Sequence, residues 1–297
     1  MTSHDRLPEP LSLLREGEPE PFTIRNPNGN PRCILTCEHA GAVVPAALNM
    51  LGLEGEDYSK HYAVDVGIRR VTETLSDLLD APAIFGNYSR LVVDLNRDLA
   101  HPTAFVTAGE GKPVPGNIAM GEAERAARIR EIYDPYNHAL TALLDRAVAT
   151  HHHPAVISMH SFTPQYFQFR RPWQVGFLWT HDSRIATAMI GFFEKAGFNA
   201  GNNQPYDHRI LRGSAINRHA DGRCLSNVLA EIRNDLISND KDADDWAKLF
   251  ADCLHEILAD PSVCSYYDGH LTEYDAERER TYYEELIEKS KRGEHHG

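Results

Sequence analysis

Long apolar runs are missing from this sequence: none approaches the roughly 18 consecutive apolar residues that a bilayer span needs, and the opening MTSHDRLPEP lacks the apolar centre of a secretory signal. A cytoplasmic protein without a membrane partner is therefore expected. Cysteine is also scarce. The five residues Cys33, Cys37, Cys224, Cys253 and Cys264 are odd in number and form no C-x-x-C pair, so neither a zinc ribbon nor a thioredoxin motif is present and buried free thiols are the reading. Positive charge is in deficit, with 30 Lys and Arg against 43 Asp and Glu and a formal charge of −13. That balance disfavours nucleic acid and anionic membranes, both of which call for a basic surface. It leaves room for an anionic small molecule, because a few arginines hold a carboxylate whatever the net charge. Repeats and low-complexity tracts are absent too, apart from His151, His152 and His153, which read as a surface loop.

What is present suits a self-folding globular chain: 42% hydrophobic and 25% charged residues over 297 positions. Residues 1–31, rich in Pro, Glu, Asn and Gly, read as an irregular arm, and 32–265 as the functional domain. From Tyr266 to residue 297 the chain becomes highly charged and reads as a helical extension, solvated or packing rather than part of a site. Within the domain CILTC, AIF, LVVDL, AVISM, VGFLW and NVLAEIR are strand-like. Helical spacing is expected over Asp65–Leu79, from Gly121 onward with a break near Pro135, and over SRIATAMIGFFEKAGF. This alternation predicts an α/β fold, three-layer α/β/α, with a mixed, largely parallel central sheet of the phosphorylase/hydrolase-like kind.

Four residues able to bind or use a metal fall at strand ends or a helix start: His39 after CILTC, Asp65 before its helix, His160 after AVISM, and Glu231 in NVLAEIR. Open α/β sheets gather their sites at such ends. Two imidazoles and one carboxylate are a common ligand set for catalytic zinc, leaving a position for water, and Glu231 is placed to act as general base.

CEHAG, HYAVDVG, YSRLVVDLNR, VPGN, GEAERAARIREIYDPYNHAL, SMHSFTP, RPWQVGFLW and EIRNDLI, in this order, resemble the N-formylglutamate amidohydrolase family. The resemblance implies a fold like that of zinc carboxypeptidases and metal-dependent cell-wall amidases, with one divalent metal, Zn2+ expected, on His39, Asp65 and His160 and with Glu231 as base. Glu38 stays open as the alternative acidic ligand. Asn96 and Arg97 would grip a substrate carboxylate and Arg90 would steady the oxyanion, while Ser161, Arg218, His219 and Arg233 are further candidates. His219 is expected on a mobile loop, NRHADGR. The implied reaction is hydrolysis of N-formyl-L-glutamate to formate and L-glutamate, the partner being a small acidic N-acyl amino acid. The alternatives are another N-acyl amino acid, a short peptide or a cell-wall amide, or a member that binds without catalysis. A homo-oligomer is allowed, with the charged C-terminal segment as one means of forming it.

Overall fold

The structure, a computed structural model, describes residues 11–151, 153–211, 213–271 and 275–295. His152 of the histidine tract, the first ten residues of the arm, and residues 272–274 and 296–297 of the C-terminal segment lie outside them. Among the described residues, no helix is long and apolar enough to cross a membrane.

The continuous apolar runs become strands buried on both faces, as expected for a helix-covered sheet. They are β2 Cys33–Cys37, β3 Ala83–Gly86, β4 Ala155–Phe162, β5 Val175–Leu178 and β7 Asn227–Arg233, while β1 Phe22–Arg25 and β6 Ala200–Asn202, at the two edges of the sheet, are only partly buried. The seven pair in the order β1-β3-β2-β4-β7-β5-β6. The pairs β3–β2, β2–β4, β4–β7 and β5–β6 are parallel, while β1–β3 and β7–β5 are antiparallel. The sheet is thus mixed and mostly parallel, at the centre of a three-layer α/β arrangement.

The helices used below are α1 Ile68–Leu79, α2 Glu122–Arg128, α3 Asp134–His151, α4 Arg184–Lys195, α5 Ala215–His219, α6 Asp240–Ile257 and α7 Ala276–Lys291. Successive strand residues face opposite ways, and the two cores follow from that. Leu35, Ile157, Met159 and Val228 pack with Val71 and Leu75 of α1, Phe193 of α4 and Phe250 of α6. Their neighbours Ile34, Val156 and Leu229 turn to the other face, against Tyr136, Leu140 and Leu144 of α3. Each such aliphatic side chain contributes about 1.5–3 kcal/mol of burial.

Four expectations change. The arm is not wholly irregular, since β1 extends the sheet and the Leu13 and Leu14 amides donate to Glu131 Oε2, each at 2.8 Å. The first helix begins at Ile68 rather than Asp65: Gly67 sits at φ 81°, and a Cβ there would lie 2.1 Å from the Ile237 carbonyl. LVVDL is a buried turn segment rather than a strand, its carbonyls taken by side chains, Leu91 O by Asn117 and Val92 O by Arg128. NRHADGR is no mobile loop; it comprises the end of α5 and a 3-10 turn at Asp221–Arg223, with His219 buried. Helix-breaking near Pro135 takes the form of a π-turn at Ile129–Tyr133, after which α3 starts. All five cysteines are free thiols.

Candidate active site

Parallel pairing sets the ends of β2, β4 and β7 side by side. In register, His160 of β4 faces Glu231 of β7. β2 ends at Cys37, and Glu38 and His39 follow in a turn. The Asp65 amide donates to the His39 carbonyl at 3.0 Å, which ties the loop before α1 to the end of β2. As a result one ligand atom from each of His39, Asp65 and His160 falls within 4.8 Å of the others, all three residues being buried.

The ring orientations decide what this cluster can do. His39 Nε2 lies 2.7 Å from Asp94 Oδ1, and its Nδ1 faces Asp65 Oδ2 at 3.5 Å. His160 Nε2 lies 3.1 Å from Glu38 Oε2, and its Nδ1 is 2.8 Å from Asp65 Oδ2. Both rings therefore turn Nδ1 toward Asp65 and back Nε2 with a carboxylate, the arrangement that orients metal-binding histidines. His39 Nδ1 is buried and has no hydrogen-bond partner among the described residues, a costly state for a ring nitrogen unless a cation takes the lone pair. These three residues fit a divalent metal. Glu38 stands behind His160, where its Oε2 also accepts from Ser158 Oγ at 2.9 Å.

The electrostatics point the same way. Burial works against the Glu38 charge, yet its bond to His160 brings the carboxyl down to about 2. Asp65 and Asp94 are likewise held well below the carboxylate range, burial being outweighed chiefly by His39. Burial opposes protonation of His160, but Asp65 and Glu38 push it up to about 10. Such a surplus of buried negative charge favours any cation at the centre. Glu231 behaves differently: burial, with Asp65 adding to it, raises its carboxyl to about 7 against the pull of His160. Its Oε2 is another buried atom without a partner among the described residues.

A cavity of about 160 Å³ opens over this centre. His39, Asp65, His160 and Glu231 line it, as do Arg90, Asn96, Arg97 and Ser161. Arg90 reaches Asp65 Oδ1 at 3.4 Å and Asp94 Oδ2 at 3.0 Å. Arg97 donates to the Asn96 carbonyl at 2.9 Å; burial works against its charge, but Tyr283, Asp94 and Glu279 keep the guanidinium protonated. Asn96 is spanned between the Ala215 amide, 2.7 Å, and His160 Nε2, 3.4 Å. The Ser161 amide donates to Asp65 Oδ2 at 3.2 Å.

Arg218, His219 and Arg233 do not line the cavity. Arg218 is used up on the Gly213 and Leu95 carbonyls, at 2.5 and 2.7 Å. His219 bonds Asn137 Oδ1 at 2.7 Å under α3, and Arg233 pairs with Asp235 at 2.8 Å. Sequence reasoning missed His61, Tyr206, His208, Tyr283 and Leu286, which do line it. His61 Nδ1 sits 3.6 Å from Asp65 Oδ1, and burial, aided by Arg90, pushes the ring down to about 4. The spacing of His61 and Asp65 in HYAVDVG, four residues apart, was a usable signal. Tyr283 and Leu286 come from α7, so the charged C-terminal helix is part of the site wall rather than a solvated appendage.

The sequence model describing N-formylglutamate amidohydrolase matches residues 32–238, more than half of the chain. The chain belongs to the N-formylglutamate amidohydrolase family. Gene product Atu2144 from Agrobacterium tumefaciens has a crystal structure similar to this one, with 32% sequence identity and a TM-score of 0.78 over 83% of this chain and 98% of that one. The N-formylglutamate amidohydrolase from Ralstonia eutropha JMP134 shares the fold at 17% identity, with a TM-score of 0.59 over 80% of this chain and 97% of that one. No curated protein matches the chain. Family membership supports an amide hydrolase. The family match ends before α7, so Tyr283 and Leu286 lie beyond it.

Proposed function

We propose that this amidohydrolase is metal-dependent, holds zinc on His39, Asp65 and His160, and cleaves the N-acyl bond of a small acidic amino acid, with N-formyl-L-glutamate as the first substrate to test. The observation that carries the reading is the convergence of two carboxylate-backed imidazoles on Asp65, opposite the unpartnered Glu231 Oε2, in one cavity with Arg97. A divalent ion bound there would polarise the amide carbonyl and acidify water, and a set of two imidazoles and one carboxylate suits zinc.

The remaining work falls to the chain. Glu231 takes a proton from the attacking water and returns it to the departing amine nitrogen. Arg90 lies in the wall next to Asp65, where its charge opposes the negative charge growing on the carbonyl oxygen. The planar fork of Arg97 receives a carboxylate of the amino acid. Glu38 fixes His160 and the Ser161 amide fixes Asp65 in position, while Asn96 lines the cavity beside Arg97.

The test is formate release from N-formyl-L-glutamate by zinc-loaded wild type and by Glu231→Gln at matched metal content. Release by wild type that drops at least a hundredfold in the variant, with zinc still bound, is the expected result. Equal rates in the two proteins would remove Glu231 from the mechanism, and inertness of wild type toward every N-acyl glutamate would remove the substrate class.

A further inference from the structure

A second cavity, of about 530 Å³, adjoins the first and shares His61, Arg90, Tyr166 and Tyr206 with it. We infer that this outer cavity holds the acyl side of the substrate, and that the acyl group is aromatic or similarly bulky and uncharged rather than formyl alone. The inference rests on the reading of Arg97 as the carboxylate clamp and of His39, Asp65 and His160 as the reaction centre.

Three observations carry it. Arg97 lines the inner cavity but not the outer one, while His61 and Arg90, flanking Asp65, line both. With the glutamate side of the substrate, both of its carboxylates included, held in the inner cavity with Arg97 and the amide at the centre, the acyl end is the part that projects outward. The outer walls are largely apolar, with Tyr62, Val106, Tyr166 and Phe167 among them. Its acidic residues are Asp94 and Glu110, and Arg90, its one lining arginine, is already paired with Asp65 and Asp94. A second carboxylate on the acyl group would find no unpaired arginine among these lining residues, whereas a ring would displace water from apolar surface.

The walls are also held in place. The Arg171 guanidinium sits 5.0 Å from the ring centres of both Tyr166 and Tyr206 and 5.5 Å from that of Phe162, and it donates to the Tyr206 hydroxyl at 2.8 Å. Tyr62 donates its hydroxyl to Asp57, which Lys112 also grips at 2.7 Å. The hairpin of residues 108–113 lies directly on Tyr62, since a Cβ on Gly109 would come within 2.5 Å of the ring. A wall of this kind needs little ordering when a ligand arrives. A formyl hydrogen touches none of it.

The bond chemistry is unchanged by the larger group. Water's oxygen bonds to the acyl carbon, the C–N bond breaks, and a proton passes to the amine, giving the carboxylic acid of the acyl group and glutamate.

The experiment compares kcat/KM of the zinc-loaded full chain for N-formyl-, N-acetyl-, N-benzoyl- and N-phenylacetyl-L-glutamate, and for N-formyl-L-glutamyl anilide. The phenylacetyl compound should exceed the formyl compound by roughly tenfold to a hundredfold, the gain of burying a ring. Val106→Trp, which narrows the outer cavity, should lower the phenylacetyl-to-formyl ratio at least tenfold, and Thr163→Trp serves the same purpose if the first variant folds poorly. Turnover of the formyl compound with no gain for larger acyl groups would overturn the inference and leave the proposed function standing. Preference for the anilide would put the extra group on the amine side and overturn the assignment of the cavity. Inertness toward all five would overturn the proposed function itself.

Discussion

Glu38 and His160 meet through the back of the imidazole: Oε2 of Glu38 is 3.1 Å from Nε2, the nitrogen facing away from Asp65. The two acidic residues that the sequence offers as ligands thus stand on opposite sides of one ring, and they should fail differently. Asp65→Asn removes a ligand and should abolish stoichiometric zinc binding at micromolar metal. Glu38→Gln keeps the ligands but loosens the ring, and should weaken zinc roughly tenfold to a hundredfold. Competition with a chromophoric chelator measures both. Loss of zinc by Glu38→Gln with wild-type affinity in Asp65→Asn would reverse the assignment.

Arg128 should be a stability residue with no part in chemistry. It is fully buried and bridges the Val92 carbonyl at 3.0 Å, Asn117 Oδ1 at 2.6 Å and Glu124. Arg128→Met leaves the buried Val92 carbonyl and Asn117 Oδ1 without this donor, at a cost of about 3 kcal/mol. Urea unfolding should show the loss while zinc affinity stays at the wild-type value; a change under about 0.5 kcal/mol would mean that water replaces the guanidinium.

That bridge explains what the sequence could not tell. LVVDL has the apolar run of a strand, and hydrophobicity alone cannot separate a strand from a buried turn whose carbonyls are satisfied by distant side chains, in this case Asn117 and Arg128. His39, Asp65, His160 and Glu231 were readable because each lies in the last three residues of a strand, just beyond one, or in the loop leading into a helix, where the chain emerges from a parallel sheet. Tyr283 and Leu286 were not, because the charged composition of α7 hides two side chains that turn inward. Arg218 and His219 misled for the converse reason: polar residues beside glycine suggest a loop, yet these are spent on Leu95, Gly213 and Asn137.

His219 gives a pH prediction. Burial, with Arg218 and Arg223 nearby, pushes the ring down to about 4, below the ordinary histidine value in the unfolded chain. The unfolded state therefore binds the proton first, and stability falls as pH drops from about 6.5 toward 4. Between pH 7 and pH 5 the contribution of this one group is roughly 2 kcal/mol. His219→Gln keeps a donor for Asn137 and removes the titration, so its unfolding free energy should fall less over that interval than that of wild type. Parallel curves for the two proteins would mean that the folded-state ring of His219 titrates as it does in the unfolded chain.

Arg97 separates binding from chemistry. Its guanidinium is kept charged by Tyr283, Asp94 and Glu279, and it lies in the inner cavity, with Tyr283 of α7 among the facing residues. Arg97→Lys keeps the charge but loses the planar fork that grips both oxygens of a carboxylate. If Arg97 holds the glutamate end, KM should rise about tenfold while kcat changes less than threefold, because that contact is made equally in the ground state and the transition state. Zinc content should not change, since no ligand is disturbed. A fall in kcat at constant KM would instead mean that Arg97 acts on the charge developing at the carbonyl, so that oxyanion stabilisation would pass from Arg90 to Arg97.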